Sequence, residues 1–391
     1  MLTLIKGGQV YSPEYIGKKD ILICGDKIER IDDLINIHTN SLSIKTINAD
    51  DCLIFPGFID SHVHIIGGGG EGGFKTRTPE IQLSNLTLSG ITTVIGCLGT
   101  DSLSRNIKSL FAKSKALEEE GISSYMYTGS YKIPVVPLLN NIEEDIMLID
   151  KIIGVGEVAL SDHRSSQPSF KEFKNLVAQA RIAGMLASKA GIVNIHIGDS
   201  KTGINYLQKL YEETDIPITQ VIPTHVNRSK NLFKECIKYC KNGGYIDLTT
   251  STTKKFLQEG EIKCSSGLKM ALLNNVPIEN ISFSSDAQGS LPYFDDDGKF
   301  LGLKIGKCSS LYKEVRDAIL YENINIEDAI KVITCNPAKH LKLNYKGFLN
   351  EGYDADIVMV NKKDLLIKNV IAKGKLMVKN YEALAKGLFE D

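Results

Sequence analysis

Short apolar segments alternate with amphipathic stretches eight times along this 391-residue chain. Each apolar segment ends in a polar or glycine-rich loop and is followed by a helical pattern such as SRNIKSLFAKSKALEEEG. Eight successive strand-then-helix units are typical of a (β/α)₈ TIM barrel, an α/β fold. A doubly wound open sheet would normally use fewer strands and a dinucleotide fingerprint, which the sequence lacks. The apolar segments are CLIFPGFIDSHVH, ITTVIGCLG, SSYMYTGSY, IIGVGEVALSD, IVNIHIGD, VIPTHVN, YIDLTTS and ISFSSDAQGS.

Both ends of the chain carry a different pattern, in which short apolar strands are separated by turn residues. Examples are LTLIKGGQVY and KDILICGDKIERI near the start, and DADIVMVNKKDLLIKNVIAKGKLMVKN near the end. Because the two ends of a barrel lie near each other, we expect these strands to pair in one small β-sandwich domain. Its predicted residues are 1–55 and 345–391, which leaves residues 56–344 for the barrel.

Charge and cysteine content narrow the classes of function. Lys and Arg number 46 against 47 Asp and Glu, so no field of one sign would recruit nucleic acid or anionic lipid. No apolar stretch reaches membrane-spanning length, and the N-terminal residues lack a signal-peptide layout. These features predict a cytoplasmic protein without nucleic-acid or membrane partners. The 8 cysteines are spread singly without a CxxC pair, which favours free thiols over disulfides or a cysteine metal site.

Four histidines and two carboxylates lie at the ends of predicted barrel strands, where barrel enzymes carry out their chemistry. A lone histidine is more often a structural polar residue, but a set of this size is hard to assign to structure. Uncharged imidazoles and buried carboxylates need a cation, and this donor set suits zinc first, with manganese, iron or cobalt as alternatives. The six residues are His62, His64, Glu157, His196, His225 and Asp286. His62 and His64 are two apart, so both rings point to one face of a strand.

The order HxH, strand-4 ligand, His, His, Asp resembles that of the amidohydrolase superfamily, whose members hydrolyse amides and esters with one or two barrel metals. Within it, the chain is most similar to the isoaspartyl (beta-aspartyl) dipeptidase family, and the similarity covers almost the whole chain in order. The motifs that carry it are GFIDSHVHIIGGGGEGG, TRTPE, GCLGTDS, TGSY, SDHRS, HIGDSK, PTHVNR, GGYIDLT, SSDAQGS and AKGKLMVK.

The resemblance implies two zinc ions per subunit, one on each side of a bridging ligand. The first zinc would be held by His62, His64 and Asp286, and the second by His196 and His225. The resemblance also implies a homo-oligomer.

The family normally bridges its metals with a carboxylated lysine at the end of strand 4, but IIGVGEVALSDHR contains no lysine. Counting back from SDHR places Glu157 at that position, whereas counting forward from IIGV places Gly156 there. We favour Glu157 as the bridge, with the extra residue of this segment forming a bulge that compensates for the shorter side chain. The alternative is that Glu157 forms a salt bridge beside a single metal.

An isoaspartyl dipeptide carries one ammonium and two carboxylates, which call for one acidic and two basic residues. By resemblance, Glu71 would bind the ammonium, and Arg164 and Arg228 the carboxylates, for which the planar guanidinium is well suited. Thr100 and Ser290 would add hydrogen bonds. The glycine run before Glu71 would form a tight active-site loop, because glycine allows unusual backbone angles and close approach to a ligand.

The implied reaction is hydrolysis of the side-chain amide, with release of aspartate. A hydroxide between the metals would attack the carbonyl carbon, and Tyr131 would donate a hydrogen bond to the developing oxyanion. Asp286 would accept the water proton as general base and pass it to the leaving amine.

Two alternatives stay open. One is another amidohydrolase, such as a dihydroorotase-like or N-acyl-amino-acid hydrolase, although Glu71 and the two arginines argue against neutral cyclic substrates. The other is a non-catalytic scaffold that has lost its metals. Every histidine ligand is present, so the missing lysine is the only feature in favour of the scaffold.

Overall fold

The computed structural model describes residues 2–37, 43–295 and 299–390. Its strands are β1 (Leu2–Tyr11), β2 (Tyr15–Cys24), β3 (Lys27–Asp32), β4 (Ile44–Asn48), β5 (Cys52–Pro56), β6 (Phe58–Val63), β7 (Ile91–Gly96), β8 (Ser123–Thr128), β9 (Ile152–Leu160), β10 (Ile192–Ile197), β11 (Val221–Thr224), β12 (Ile246–Thr249), β13 (Ile281–Ser284), β14 (Ser290–Phe294), β15 (Phe300–Ile305), β16 (Ile357–Asn361), β17 (Ile367–Ala372), β18 (Lys375–Lys379) and β19 (Glu382–Ala383). Its helices are α1 (Leu83–Leu88), α2 (Ile107–Glu120), α3 (Ile142–Leu148), α4 (Phe170–Leu186), α5 (Asn205–Glu213), α6 (Lys230–Lys241), α7 (Lys254–Glu259), α8 (Cys264–Leu273), α9 (Ser310–Leu320), α10 (Ile326–Lys331) and α11 (Cys335–His340).

Strands from both ends of the chain form one mixed sheet of nine strands. The order is β19-β18-β17-β16-β5-β1-β2-β3, with β4 beside β1. The two ends meet where β5 pairs antiparallel with β16, from Cys52 opposite Asn361 to Pro56 opposite Ile357. Buried aliphatic residues from both ends, among them Ile21 and Ile371, belong to one core cluster. The expected pairing of the chain ends is therefore confirmed.

A second, parallel sheet follows the chain order of the apolar segments. Strands β6 to β11 form a continuous six-stranded ladder, and β12 and β13 form a separate parallel pair. Hydrogen bonds connect this pair to both edges of the ladder: Val226 N–H donates to the Asp247 carbonyl (3.4 Å), and Asp286 N–H donates to the His62 carbonyl (3.1 Å). β6, β7, β9 and β10 are buried along their whole length, as expected for a parallel sheet covered on both faces. The predicted α/β class is confirmed, the sheet is parallel and curled, and its closure into an eight-stranded barrel stays a prediction.

Two of the longer helices between these strands, α2 and α4, begin at residues whose side chains cap them. The Asn106 side chain accepts a hydrogen bond from the Ser109 N–H at the start of α2, and Gly121 ends the helix with φ of 114°. Ser169 and Glu172 form a reciprocal capping box at the start of α4. The caps at Asn106 and Ser169 let the chain turn from a strand-end loop into a helix, and Gly121 lets it leave one. Within the described part of the chain, we find no helix with the length and apolar character needed to cross a membrane.

Candidate metal centre and substrate cavity

The carboxyl ends of five parallel strands bring all six predicted ligand residues together. His62 lies in β6 with His64 directly after it, Glu157 lies in β9 and His196 in β10, and His225 and Asp286 follow β11 and β13. Five of these side chains are buried, and that of Asp286 is 17% exposed. The sheet therefore places four imidazoles and two carboxylates in one largely water-excluded cluster.

The Glu157 carboxylate stands between the two pairs of histidines. Its Oε1 lies 2.7 Å from His196 Nδ1 and 3.0 Å from His225 Nε2. Its Oε2 lies 3.3 Å from His62 Nε2 and 4.0 Å from His64 Nε2. Each carboxylate oxygen thus faces a different histidine pair.

The register of β9 explains how Glu157 reaches this position. Val155 pairs with Val193 of β10, but the next pair along the two strands joins Val158 to Ile195, so β9 contains one extra residue in between. The expected irregularity in this segment is confirmed. Glu157, rather than Gly156, presents a side chain to the histidines.

Asp286 completes the His62 and His64 side of the cluster. Its Oδ1 lies 3.1 Å from His64 Nε2 and 3.8 Å from His62 Nε2. Asp286 and His225 both adopt left-handed backbone conformations, with φ of 52° and 63°. Such conformations are unusual for residues other than glycine and are typical of functional sites.

Three buried polar atoms in the cluster have no hydrogen-bond partner in the described structure: His62 Nε2, Glu157 Oε2 and Asp286 Oδ1. Buried polar atoms are nearly always satisfied, so their convergence indicates a missing partner. Two groups of donor atoms, each within 4.8 Å of one another, share Glu157. One group contains His62, His64, Cys97 and Glu157, and the other contains Glu157, His196 and His225. The donor chemistry and the unsatisfied atoms both fit a metal centre.

Three of the histidines are held by outer hydrogen-bonding partners, which the sequence analysis did not identify. Asn194 Oδ1 lies 3.1 Å from His62 Nδ1, and Thr249 Oγ1 lies 2.6 Å from His225 Nδ1. Asp162 Oδ2 lies 2.9 Å from His196 Nε2. Such partners fix the orientation and the tautomer of ligand imidazoles. Asp162 lies in the SDHR segment, one of the motifs that carry the family resemblance, and this was the sequence feature that could have indicated its role.

The charge states of the cluster favour cation binding. Burial, together with the positive charge of Arg228, lowers the pKa of His225 to about 3, so this ring is neutral at neutral pH. Burial alone would raise the pKa of Glu157, but His62 and His196 hold it well below its usual range. Burial disfavours protonation of His62, yet Cys97 and Glu157 raise the pKa of His62 well above its ordinary value. The buried carboxylates thus stabilise positive charge beside them, which a bound metal would supply.

All five predicted substrate-binding residues line one cavity above this cluster. They are Glu71, Thr100, Arg164, Arg228 and Ser290, and Tyr131, Glu157 and Asp286 line the same cavity. Glu71 Oε1 accepts a hydrogen bond from the Thr100 hydroxyl (3.0 Å) and lies 3.3 Å from Arg164 Nη1.

The two cavity arginines differ in how much of their hydrogen-bonding capacity is occupied. Arg164 donates from Nε to Asp162 Oδ1 (3.0 Å) and from Nη2 to Asp162 Oδ2 (2.8 Å). Within the described residues, the Arg228 guanidinium has no carboxylate within 4.0 Å, and its Nη1 lies 3.3 Å from His196 Nε2. Arg228 therefore has more of its donors available to an anionic ligand than Arg164 has.

Tyr131 and the glycine run shape the boundary of the cluster. The Tyr131 hydroxyl lies 2.8 Å from His196 Nδ1, on the side of the ring that faces Glu157. Gly67 has φ of 83°, and a Cβ atom there would lie 2.2 Å from the Thr78 carbonyl oxygen. A Cβ atom on Gly99 would lie 2.9 Å from the His64 ring. These glycines are required for the close packing of the loops around the cavity.

Comparisons of sequence and of structure with known proteins both relate this chain to amidohydrolases. The sequence profile of the Amidohydrolase family matches residues 53–377. The crystal structure of beta-aspartyl dipeptidase from Fervidobacterium islandicum AW-1 in complex with a beta-Asp-Leu dipeptide is 44% identical, covers 98% of each chain and superposes with a TM-score of 0.89. A dihydroorotase of Clostridium acetobutylicum is 23% identical over 92% of this chain and 89% of its own. A D-hydantoinase from Thermus sp., at 16% identity and a TM-score of 0.67 over 100% of this chain and 98% of that one, shares the fold.

Proposed function

Because the chain belongs to the amidohydrolase family and is a homologue of beta-aspartyl dipeptidase, we propose that it hydrolyses β-aspartyl (isoaspartyl) dipeptides and releases aspartate. The observation that carries this proposal is the cavity that Glu71, Arg164 and Arg228 line together with members of the buried histidine and carboxylate cluster. A β-aspartyl dipeptide presents the complementary set, one ammonium and two carboxylates. The relative from Fervidobacterium islandicum was crystallised with such a dipeptide, which supports the same substrate class.

We propose a centre of two zinc ions per subunit. His62, His64 and Asp286 would hold one ion, His196 and His225 would hold the other, and Glu157 would contribute one oxygen to each. The 2.7–4.0 Å separations between the Glu157 oxygens and the four imidazoles support the bridging role. When bound, the metals would lower the pKa of water and polarise the amide carbonyl. Metal analysis of the purified protein should give about two zinc per chain.

The chain's own residues would move the protons and stabilise the charge. Asp286 would take a proton from the attacking water and deliver it to the leaving amine nitrogen. Burial raises the pKa of Tyr131 well above its ordinary value, so its hydroxyl keeps its proton and can donate to the developing oxyanion. Arg164 and Arg228 would bind the two carboxylates, and Glu71 the ammonium, with Thr100 and Ser290 adding hydrogen bonds.

We also propose that the eight parallel strands close into a (β/α)₈ barrel, which the hydrogen bonds from β12 and β13 to both edges of the ladder support. The barrel would comprise residues 56–344. The remaining 1–55 and 345–391 would form the small domain, with the nine-stranded sheet folded over its shared core as a sandwich. The homo-oligomer implied by resemblance stays a prediction.

Four substrates test the proposed activity. The zinc-loaded protein is incubated with β-Asp-Leu, with α-Asp-Leu, with dihydroorotate and with an N-acetyl amino acid, and free product is measured. We expect aspartate release from β-Asp-Leu alone, because only this isomer places the amide carbonyl on the aspartate side chain. Turnover of dihydroorotate or the N-acetyl amino acid without β-Asp-Leu hydrolysis would favour the other amidohydrolase activities. No turnover together with no bound metal would support the scaffold alternative.

Replacing Arg228 with methionine should raise KM for β-Asp-Leu more than it lowers kcat. The expected rise is about 10- to 100-fold, because a hydrogen bond to a charged group contributes roughly 1.5–3 kcal/mol. Steady-state kinetics would give both constants. Arg30→Met is the matched control, since Arg30 is an exposed residue of β3 that pairs with Asp32. An unchanged KM for Arg228→Met would exclude a role in carboxylate binding.

Replacing Asp162 with asparagine should weaken metal binding about 10- to 100-fold, the usual effect of removing an outer partner of a ligand histidine. The reason is the 2.9 Å contact of Asp162 Oδ2 with His196 Nε2. Competition against a chromophoric chelator would measure the affinity. Asp199→Asn, at an exposed position three residues after His196, is the control. If KM changed and the metal affinity did not, Asp162 would position Arg164 for substrate binding and would have no effect on the metal through His196.

A further inference from the structure

Cys97 lies at the metal centre although no role has been assigned to it so far. It follows β7 directly, and its side chain is fully buried. Its Sγ lies 3.7 Å from His64 Nδ1 and 3.6 Å from the Val63 carbonyl oxygen. Sγ also belongs to the group of ligand-type atoms formed with His62, His64 and Glu157. The sulfur therefore lies beside the His62 and His64 pair, on the Nδ1 side of the His64 ring, and its distance to a ligand-type atom of each residue of that group is at most 4.8 Å.

The surroundings of Cys97 differ from those of two other buried cysteines. Cys264 Sγ contacts the Thr249 carbonyl oxygen at 2.9 Å, and Cys308 Sγ contacts the Asn85 carbonyl oxygen at 3.0 Å. The two contacts of Cys97 are longer and close to the limit for a sulfur hydrogen bond. Buried Cys240 also makes only a long contact, 3.8 Å to the Asn280 carbonyl oxygen, but among the described residues Cys97 is the cysteine that belongs to a group of metal-ligand atoms.

Unsatisfied atoms independently point to a ligand at the same place. His62 Nε2, Glu157 Oε2 and Asp286 Oδ1 are buried and lack hydrogen-bond partners across the described ranges. The Glu157 side chain is shorter than a carboxylated lysine, so a bridge built from it reaches less far toward the His62 and His64 side, and Glu157 Oε2 is 4.0 Å from His64 Nε2. A ligand atom from the residue directly after the neighbouring strand β7 would add a donor on the His62 and His64 side.

We propose that Cys97 Sγ is a ligand of the metal bound by His62, His64 and Asp286. This inference rests on the metal centre of the proposed function and adds sulfur to it. On binding, the thiol would release its proton to solvent, and the sulfur lone pair would form the bond to the metal. A thiolate donor would make this subsite prefer zinc, cobalt or cadmium to magnesium or manganese.

Cobalt substitution tests the proposal on the full-length protein. The metal-free protein is titrated with Co²⁺ and its absorption spectrum is recorded. Bound cobalt gives weak visible bands, and a thiolate ligand adds an intense sulfur-to-cobalt charge-transfer band in the near ultraviolet. We expect that band in the parent protein and in Cys24→Ser, and its loss in Cys97→Ser. Cys24 is the control because it is the exposed cysteine of β2 and the thiol most able to bind cobalt adventitiously.

The outcomes separate this proposal from the proposed function. Visible cobalt bands and β-Asp-Leu hydrolysis without the charge-transfer band would overturn the role of Cys97 and leave the function intact. Retention of the band in Cys97→Ser would assign the sulfur to another cysteine and also overturn the proposal. Absence of cobalt binding would overturn both. X-ray absorption at the zinc edge of the parent protein needs no variant, and a sulfur neighbour at about 2.3 Å is expected.

Discussion

Glu157→Ala is expected to lose bound metal and hydrolysis of β-Asp-Leu together. The carboxylate contributes one oxygen to each histidine pair, so its removal withdraws a donor from both sides of the centre at once. Activity should fall by at least about 10²- to 10³-fold, the typical effect of removing one preorganised polar group from an active site. Metal content by mass spectrometry and kcat/KM on the same preparation would measure both.

Two further variants test whether the loss of metal in Glu157→Ala comes from the missing carboxylate. Glu157→Gln keeps the shape but removes the charge, so it should bind metal more weakly than the parent. Glu172→Ala, which removes an exposed capping side chain at the start of α4, should keep its metal. Reconstitution of the parent should not depend on added bicarbonate, because no lysine requires carboxylation. Full retention of two metals in Glu157→Ala would rule out the bridge.

Asp286→Asn should lower kcat far more than it changes KM. The asparagine side chain cannot accept the water proton as a carboxylate does, and general acid–base catalysis typically contributes about 10²- to 10⁴-fold. His64 lowers the pKa of Asp286 despite its burial, so the parent side chain is ionised and able to accept that proton at neutral pH. Single-turnover measurements with saturating β-Asp-Leu would isolate the chemical step.

The metal content of Asp286→Asn decides how its result is interpreted. Because Asp286 Oδ1 is 3.1 Å from His64 Nε2, the variant should also bind the first metal less tightly, and excess zinc should be present in the assay. A kcat that recovers fully with excess zinc would show that Asp286 is a ligand only. Asp199→Asn again provides a matched control outside the cavity.

The sequence predicts the α/β class, the chain order of the parallel strands and the main cluster because all three depend on regular patterns. Strand-then-helix periodicity identifies β6 to β13, and parallel strands bring their carboxyl ends to one edge, so His196 and His225 could be placed together before any coordinates were known. The pairing of the chain ends follows from the same logic, and β5 and β16 are where it occurs.

The remaining features depend on register and side-chain geometry, which a pattern does not contain. Sequence counting left Glu157 and Gly156 as alternatives, and the pairing of β9 with β10 was needed to place the extra residue. Asn194 and Asp162 reach histidines through side-chain contacts that carry no periodic mark. Cys97 was predicted to be an ordinary free thiol, because one cysteine at a strand end looks the same in sequence whether or not it faces ligands.

The pairing of β5 with β16 has a consequence for synthesis of the chain on the ribosome. The partner strand begins at Ile357, roughly 300 residues after β5 ends at Pro56. At about 5–20 residues per second, the β5 edge waits about 15–60 seconds before its partner is made. During that time an apolar strand edge is open to other nascent chains. Substitutions on the β5 edge should therefore change chaperone dependence and aggregation during expression more than substitutions in the active site do.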